Sequence, residues 1–326
     1  MSYFITLQYL RAIAAGLVAV FHICLFLPDR SFYLGNYGVD IFFVISGFVM
    51  YLSGHKLAPQ EFMVHRISRI VPLYWTATFA FIAMAGITSV SMEEVFKTLF
   101  FIAYADPETK PLVSPILTVG WTLNMEMFFY VLFAIGLALF RRWLVSGLVA
   151  IFIILIVVGR LVPDLGPVAE FYTKGILLEF AAGLVIAKGM ADGWLKPGPI
   201  AGVLLCILSL VALALLQDVG WRMIRWGIPA CLIVVGMLAL EPVLTRIRLP
   251  VLETLGDASY ALYLSHLMVI GPAILVLELV LAPDHWLMIV AVFVVCQAAA
   301  VGIYRFYERP VNLWLKSLRQ RRVASG

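Results

Sequence analysis

Residues 11–22 read RAIAAGLVAVFH, an apolar run that begins with an arginine and ends with a histidine. Because a helix turns by about 100° per residue, Arg11 and His22 project from one helix face, about 16 Å apart along the axis. A charged residue inside a bilayer costs about 2.5 kcal/mol or more on insertion scales and marks functional pathways there. The segment therefore predicts a membrane helix whose polar face lines a pocket or channel.

The rest of the chain has the composition of a polytopic membrane protein. Of its 326 residues, 63% are hydrophobic and only 13% are charged, and the mean hydropathy is +1.02. Soluble domains average about 25% charged residues. We therefore expect an all-α membrane helical bundle of about ten transmembrane helices, forming a single domain over residues 1–326 with no separate soluble domain. The predicted spans are 8–28, 38–54, 71–90, 121–139, 144–162, 171–188, 198–216, 224–241, 258–281 and 286–307.

Positive charge is distributed unevenly between the predicted loops. If ten spans alternate in direction, most lysines and arginines fall on one side, in HKLAPQEFMVHRISR (55–69), RRW (141–143), KGMADGWLK (188–196), TRIRLP (245–250) and KSLRQRR (316–322). Loops rich in these residues face the cytoplasm in membrane proteins. Both termini are therefore predicted to be cytoplasmic.

His22 and Glu126 are the first candidate catalytic residues. Each lies five or six residues from the predicted outer end of its span, which places both at a depth of about 8 to 9 Å. A carboxylate beside an imidazole fixes its tautomer and raises its basicity, as a general base requires. The alternative is a buried polar pair that only fixes helix packing. Asp40 is expected either to reach the same region or to act as a carboxylate at a helix N-terminus.

Arginines dominate the opposite side. Arg66 and Arg69 are neighbours on a helix surface, just before Pro72, which is predicted to begin its span. Together with Arg11 they form a positive strip that suits phosphate groups, although topology alone also explains two cytoplasmic arginines.

Other polar residues in the spans are weaker candidates. His266 lies about two turns inside the cytoplasmic end of its span, with Tyr263 nearby, and a structural role is favoured for His266 taken alone. Trp121 lies near a predicted span end, as is typical of aromatic belts. The cysteines lack CxxC or ligand-like spacing, so we expect neither disulfides nor a metal site; they are Cys24, Cys206, Cys231 and Cys296.

Five pieces of the chain together resemble the acyltransferase family 3 of integral membrane acyltransferases, particularly its exopolysaccharide O-acetyltransferase branch. They are LQYLRAIAAGLVAVFH (7–22), GNYGVDIFFVISGFVM (35–50), FMVHRISRIVPLYW (62–75), WTLNMEMFFY (121–130), and LGDASYALYLSH (255–266) followed by FYERP (306–310). The first contains the family's Arg-x10-His pattern and the third its Arg-x2-Arg-x2-Pro pattern. Many members have Asp-Gly where this chain has Gln8 and Tyr9, and some carry a fused extracytoplasmic hydrolase-like domain, which is not expected here.

The resemblance implies transfer of an acyl group, usually acetyl, from cytoplasmic acetyl-CoA or another acyl-CoA to a sugar hydroxyl. The acceptor would be a glycan or lipid-linked glycan, in a bacterial inner membrane. Membrane lipids and other polysaccharide-assembly proteins are expected partners, and nucleic acid is not. The resemblance implies that His22 is the catalytic residue and that Arg11, Arg66 and Arg69 bind the donor. The matched depth adds Glu126 as a second candidate catalytic residue, and the candidate supporting residues are Asp40, Trp121, Tyr263 and His266.

Several alternatives remain open at this point. His22 either deprotonates the sugar hydroxyl or accepts the acyl group itself. Both roles require a neutral imidazole, so activity is expected to fall as the pH drops through the titration of His22; a flat rate profile between about pH 5 and pH 8 would contradict this. Other readings are a succinyl donor, a transporter or flippase of a lipid-linked glycan, which predicts internal repeats and broken helices, and a scaffold whose polar residues only associate helices.

Overall fold

The computed structural model describes residues 4–27, 32–86, 90–105, 113–279 and 285–324. Within these ranges the chain is helical, apart from connecting segments and one isolated bridge between Ala105 and Val113. The helices are α1 (Ile5–Phe26), α2 (Gly35–Gly54), α3 (Pro59–Ala85), α4 (Met92–Leu99), α5 (Trp121–Leu139), α6 (Leu144–Leu161), α7 (Pro167–Tyr172), α8 (Leu177–Asp192), α9 (Pro199–Leu215), α10 (Ile228–Ala239), α11 (Glu241–Leu244), α12 (Pro250–Asp257), α13 (Ser259–Leu277), α14 (His285–Ile303) and α15 (Arg309–Ala324). The prediction of an all-α fold is confirmed.

Among the described residues, seven helical segments are long and apolar enough to cross a bilayer. They are Ile5–Phe26, Gly35–Gly54, Pro59–Ala85, Thr118–Leu139, Arg141–Leu161, Ser259–Leu277 and Trp286–Gln320. Each overlaps a span predicted from the sequence. The last is interrupted by a π-helical turn, Tyr304–Glu308, that joins α14 to α15.

The other three predicted spans correspond to shorter helices. The span predicted at 198–216 is α9, which has 17 residues. The span at 224–241 consists of a π-helical turn, Met223–Gly227, followed by α10. The count of about ten membrane crossings therefore stays a prediction.

The third of these spans, at 171–188, is broken into α7 and α8. The Thr173 hydroxyl lies 2.9 Å from the Ala169 carbonyl oxygen and 3.2 Å from that of Glu170, where it donates to the end of α7. Such side-chain bonds to the backbone compete with helix continuation. The prediction of one continuous helix here is wrong, because the apolar pattern continues through a segment where the backbone turns.

Pro72 does not begin its helix, contrary to the prediction. The helix that contains it starts at Pro59, so Pro72 lies inside α3. Because a proline has no N–H, it leaves the carbonyl of Ser68, four residues earlier, without its helical hydrogen bond. The carbonyl of Pro72 itself accepts a hydrogen bond from the hydroxyl of Thr76 at 2.9 Å, and the hydroxyl of Tyr307 lies 3.4 Å away.

The tightest helix contact lies between α2 and α8. A Cβ atom at Gly183 would lie 2.1 Å from the Val44 carbonyl oxygen, and one at Gly47 would lie 2.2 Å from that of Phe180. Close backbone approach through small residues is how helices associate where lipid replaces water. This crossing holds in place the helix faces that carry Asp40 and Glu179.

Replacing Gly183 with valine is expected to destabilise the protein by about 1–3 kcal/mol or more, because backbone atoms cannot yield to the added side chain. Gly271→Val is the matched control, since a Cβ atom at Gly271 meets nothing within 4 Å among the described residues. Thermal unfolding of both variants in one detergent measures the difference. Equal melting temperatures would contradict the tight crossing.

Candidate active site

His22 of α1 and His266 of α13 are in contact, although they are 244 positions apart in the sequence. Nε2 of His266 lies 3.2 Å from Nδ1 of His22, and the ring centroids are 4.8 Å apart. His266 is fully buried, whereas His22 is partly exposed. We call the end of the bundle that holds this pair the histidine side, and the opposite end, where α3 begins, the arginine side.

Hydrogen bonds to the backbone determine which nitrogens carry protons in the neutral rings. Nδ1 of His22 lies 2.9 Å from the Val18 carbonyl oxygen, and Nδ1 of His266 lies 2.9 Å from that of Leu262. A carbonyl oxygen only accepts, so each Nδ1 donates. Nε2 of His266 then turns its lone pair toward the N–H of His22. Nε2 of His22 also has a lone pair, and no described residue hydrogen-bonds it, which leaves this nitrogen available as a base or nucleophile.

Glu126 is not the partner of His22, contrary to the expectation from matched depth. Its Oε1 accepts hydrogen bonds from Ser46 Oγ at 2.8 Å and from Tyr130 OH at 2.5 Å. Ser46 lies well inside α2, toward the arginine side. Glu126 therefore belongs to a polar network in the middle of the bundle.

The cause of this difference is that α5 begins inside the bundle, after a turn at Thr118–Gly120 in which Val119 and Gly120 are buried. Thr122 Oγ1 lies 2.7 Å from the hydroxyl of Tyr263, which precedes His266 by one helical turn. Glu126 follows Thr122 by another turn. At a rise of 1.5 Å per residue, the carboxylate lies about 10 Å from the histidine pair along the bundle axis.

Trp121 and Tyr263 hold the start of α5. The Tyr263 hydroxyl lies 3.0 Å from the Val119 carbonyl oxygen, to which it donates, and the tyrosine ring lies 6.1 Å from that of His266. The Trp121 ring lies 6.4 Å from that of Phe43 and 6.5 Å from that of Phe171. Both side chains are positioned to fix the bundle beside the histidines.

Arg66 points into the bundle, whereas Arg69 is exposed. Only 8% of Arg66 is accessible, and its NH2 group donates to Ser53 Oγ. Its guanidinium carbon lies 5.2 Å from the centroid of the Phe62 ring and 5.5 Å from that of Tyr130. Arg66 thus belongs with Glu126 and Tyr130 to one buried network, which we call the Glu126 network, and it does not extend a surface strip.

Arg11 and Arg69 lie near each other on the arginine side. Arg69 lines a small cleft with Pro72, Tyr307 and Glu308. Arg11 is half-buried, and it lies within electrostatic range of Arg69 and of the carboxylates of Glu308, Asp257 and Glu126. Two of the three predicted donor-binding arginines therefore share one region.

Two acidic residues lie near these arginines, and neither was among the predicted site residues. Asp257 ends α12, and Tyr304 OH lies 3.4 Å from its Oδ2. Burial raises the pKa of the Asp257 carboxyl above its ordinary value, while the Arg11 guanidinium opposes that shift. Glu308 is 8% exposed, within the π-helical turn Tyr304–Glu308. The charged FYERP run was the sequence signal for this cluster, but it did not show which arginines the acids face.

Asp40 lies on the histidine side but is neither free nor at the helix terminus. It is completely buried, and its Oδ2 accepts a hydrogen bond of 2.5 Å from Arg222 NH2. Arg222 Nε lies 3.7 Å from Oε1 of the buried Glu179. The sequence reasoning missed this triad; the available signal was a glutamate, Glu179, within an otherwise apolar predicted span and an arginine, Arg222, just before the next one.

No group of three or more potential metal ligands occurs in the part of the chain that the structure describes. The described groups thus offer acid–base and phosphate-binding chemistry. A base nitrogen lies on one side of the bundle and exposed arginines lie toward the other.

Comparison with known proteins gives consistent matches. The sequence profile of the acyltransferase 3 family, described as an acyltransferase domain, matches residues 4–305. Exopolysaccharide production protein ExoZ of Rhizobium meliloti (strain 1021) is 35% identical over 309 residues, which cover 91% of this chain and 95% of that protein. Acyltransferase MdmB of Streptomyces mycarofaciens is 27% identical over 270 residues, covering 73% of this chain and 68% of MdmB.

A third relative is the peptidoglycan O-acetyltransferase OatA of Listeria monocytogenes, 24% identical over 359 residues that cover 93% of this chain and 55% of OatA. No solved structure gives a significant match. The profile match spans nearly the whole helical bundle, including both histidines. The chain therefore belongs to the acyltransferase 3 family.

Proposed function

We propose that this protein is a membrane O-acyltransferase of the bacterial inner membrane. It moves an acyl group, with acetyl as the first candidate, from cytoplasmic acyl-CoA to a hydroxyl of an exported or cell-surface polysaccharide or its lipid-linked precursor. Both termini and the arginine side face the cytoplasm, and the histidine side faces outward. The relatives support this proposal, since one is a polysaccharide-production protein and another an O-acetyltransferase.

The observation that carries the proposal is the free Nε2 of His22. Nε2 of His266 lies 3.2 Å from Nδ1 of His22 and accepts a second hydrogen bond from the N–H there. This contact supports the His22 tautomer whose Nε2 is basic. A neutral imidazole of this kind is the commonest general base in enzymes. His266 thereby acts as a positioning residue for His22.

Two reaction routes fit this nitrogen. In direct transfer, Nε2 takes the proton of the sugar hydroxyl as the oxygen attacks the thioester carbonyl; the C–S bond breaks, and the proton passes to the departing CoA sulfur. In the two-step route, Nε2 attacks the thioester, the C–S bond breaks and CoA leaves as the thiolate; the sugar hydroxyl then attacks the acyl carbon, the bond from that carbon to Nε2 breaks, and the hydroxyl proton ends on the CoA thiolate. The Glu126 network contacts neither nitrogen and stabilises the bundle between the two substrate sides.

The donor site is testable without a known acceptor. Arg69 is exposed beside Arg11, whereas Arg66 is enclosed, so Arg69 binds the CoA phosphates while Arg66 holds the helices. Arg69→Ala is expected to weaken acetyl-CoA binding by about tenfold, because a charge-assisted hydrogen bond to phosphate is lost. Calorimetric titration of detergent-purified protein measures this change.

Arg246→Ala is the matched control, since Arg246 is an exposed arginine on the loop before α12 and has no described side-chain partner. It is expected to bind acetyl-CoA like the wild type. Equal affinity of both variants would remove Arg69 from the donor site. Absence of binding to well-folded wild type at millimolar acetyl-CoA would contradict the acyltransferase assignment and favour a glycan transporter.

A further inference from the structure

The first turn of α1 has no capping group of its own. Phe4 precedes the helix without a side-chain hydrogen bond to it, and the first turn contains no acidic residue. Ile5 and Thr6 are nevertheless enclosed, at 1% and 0% exposed, so bulk water does not reach their N–H groups. Because the first N–H groups of a helix have no partners within it, this end needs acceptors from elsewhere in the chain, and an anion is favoured there.

Glu241 supplies these acceptors, although it follows Thr6 by 235 positions in the sequence. Its Oε1 accepts a hydrogen bond from the Ile5 N–H at 2.9 Å. Its Oε2 accepts from the Thr6 N–H at 3.0 Å and from the Thr6 hydroxyl at 2.5 Å. Hydrogen bonds to an ionised carboxylate are stronger than those between neutral groups, and two parallel bonds also fix direction. Glu241, the first residue of α11, therefore holds the end of α1 in one position.

Two further contacts join α1 to the segment that Glu241 begins, residues 241–257, which we call the clamp. The Leu249 N–H donates a hydrogen bond to the Tyr9 hydroxyl at 2.7 Å. A Cβ atom at Gly256 would lie 2.2 Å from the Gln8 carbonyl oxygen, so the backbones of α12 and α1 are in direct contact. The clamp thus contacts α1 at several points within its first two turns.

The clamp ends beside Arg11. Arg11 NH1 lies 3.5 Å from Oε1 of Gln8, the residue whose backbone packs against the clamp. Asp257, the last residue of the clamp, lies within electrostatic range of the Arg11 guanidinium. A movement of the first turns of α1 would therefore shift this guanidinium away from Asp257 and from its neighbour Arg69.

We propose that Glu241 is a positioning residue for the acyl donor: by capping α1, it holds the Arg11 guanidinium where it binds a phosphate of acyl-CoA together with Arg69. This inference rests on the proposed function, in which the donor binds on the arginine side. Glu241 lies at the opposite end of α1 from His22, so it takes no part in the chemical step.

The first test is calorimetric titration of detergent-purified full-length protein with acetyl-CoA. Glu241→Ala is expected to weaken binding by about fivefold, a loss comparable with that of one helix cap. Glu61→Ala is the matched control, because Glu61 is an exposed glutamate in the first turn of α3, also on the arginine side. The control is expected to bind acetyl-CoA like the wild type. Wild-type affinity in folded Glu241→Ala would overturn the proposal.

A double-mutant cycle tests whether Glu241 acts through Arg11. If it does, Glu241→Ala adds little to the loss of affinity already caused by Arg11→Ala, because there is no guanidinium left to position. A further fivefold loss in the double variant would show that Glu241 affects the donor independently of Arg11, which would overturn the proposal.

A second variant disturbs the clamp without changing charge. Gly256→Ala places a methyl group against the Gln8 carbonyl and is expected to weaken acetyl-CoA binding as Glu241→Ala does. Gly302→Ala is its control, since a Cβ atom at Gly302 meets nothing within 4 Å among the described residues. Wild-type affinity in Gly256→Ala would contradict the proposal even if Glu241→Ala failed to fold.

The dependence of turnover on donor concentration separates positioning from general stabilisation. In membranes of a producing strain, Glu241→Ala is expected to raise the apparent KM for labelled acetyl-CoA about fivefold and to keep the rate at saturating donor. A lower saturating rate with an unchanged KM would show that Glu241 only stabilises the fold, and would overturn the proposal. Absence of acetyl-CoA binding by the wild type would instead contradict the proposed function, whereas wild-type binding that Glu241→Ala leaves intact would overturn this inference alone.

Discussion

His22→Ala is expected to lower acyl transfer by about 10²–10⁴-fold, the contribution typical of a positioned general acid–base group. The physical reason is that Nε2 of His22 is the basic nitrogen that the His266 contact leaves open. The measurement is incorporation of labelled acetyl from acetyl-CoA into polysaccharide by membranes of a producing strain. Acetyl-CoA binding is expected to persist, because the proposed site for the donor phosphates is on the arginine side.

His65→Ala is the matched control, because His65 is an exposed histidine on the first turns of α3. It is expected to keep wild-type turnover. If His22→Ala retained activity at normal expression, His22 would be a packing residue and the catalytic assignment would be wrong. A lower folding yield in His22→Ala with normal turnover per folded molecule would favour the scaffold interpretation.

The two routes through His22 differ in whether an acyl group is bound covalently to His22 before it reaches the sugar. Labelled acetyl-CoA added without acceptor leaves an acetyl group on the protein only if Nε2 is the nucleophile. Intact-protein mass spectrometry after rapid quenching detects that increment, and His22→Ala removes it. An unlabelled wild-type protein under conditions that support turnover would favour direct transfer.

Arg66→Ala is expected to destabilise the protein by about 3–5 kcal/mol, the usual effect of removing one member of a buried charged network. Arg66 donates a hydrogen bond to Ser53, and its guanidinium lies near the Tyr130 ring and within electrostatic range of Glu126. Glu126 in turn accepts hydrogen bonds from Tyr130 and Ser46. Without the guanidinium, the partly buried Glu126 carboxylate loses a nearby positive charge. Chemical or thermal unfolding in detergent measures the loss.

Arg69→Ala, from the same helix, is the control and is expected to unfold like the wild type, because Arg69 is exposed. A double variant, Arg66→Leu with Glu126→Leu, adds a sharper test. Replacing both charges by apolar side chains removes the unpaired carboxylate and is expected to recover much of the stability. If Arg66→Ala and Arg69→Ala unfolded alike, the distinction between a structural and a donor-binding arginine would be wrong.

The sequence predicted the candidate site only where the spacing of residues along one helix determines which side chains share a face. Arg11 and His22 lie on the same helix, α1, so their common face follows from helix geometry. The i and i+3 spacing of Arg66 and Arg69 also placed them together, but it did not show that one faces the bundle and the other solvent. Which side of a helix is buried depends on the helices packed against it, and these lie far away in sequence.

The pairing of His22 shows the same limit. Depth counted from the predicted span ends favoured Glu126. However, α5 begins below the surface, after a turn in which Val119 and Gly120 are buried, and His266 lies beside His22 instead. An apolar loop that enters the bundle has the same composition as one that lies on it. Depth in a span therefore does not follow from counting residues.

The sequence by itself determined the membrane class, the helical fold, seven of the spans, the Arg11 and His22 face and the family motifs, because hydropathy and the helical repeat act over one or two turns. Tertiary structure alone decided the histidine pair, the enclosure of Arg66, the Glu126 network and the triad of Asp40, Glu179 and Arg222. Each of these joins helices that are distant along the chain. Such contacts arise from the packing of whole helices, through close approaches such as that at Gly183, and no local pattern specifies them.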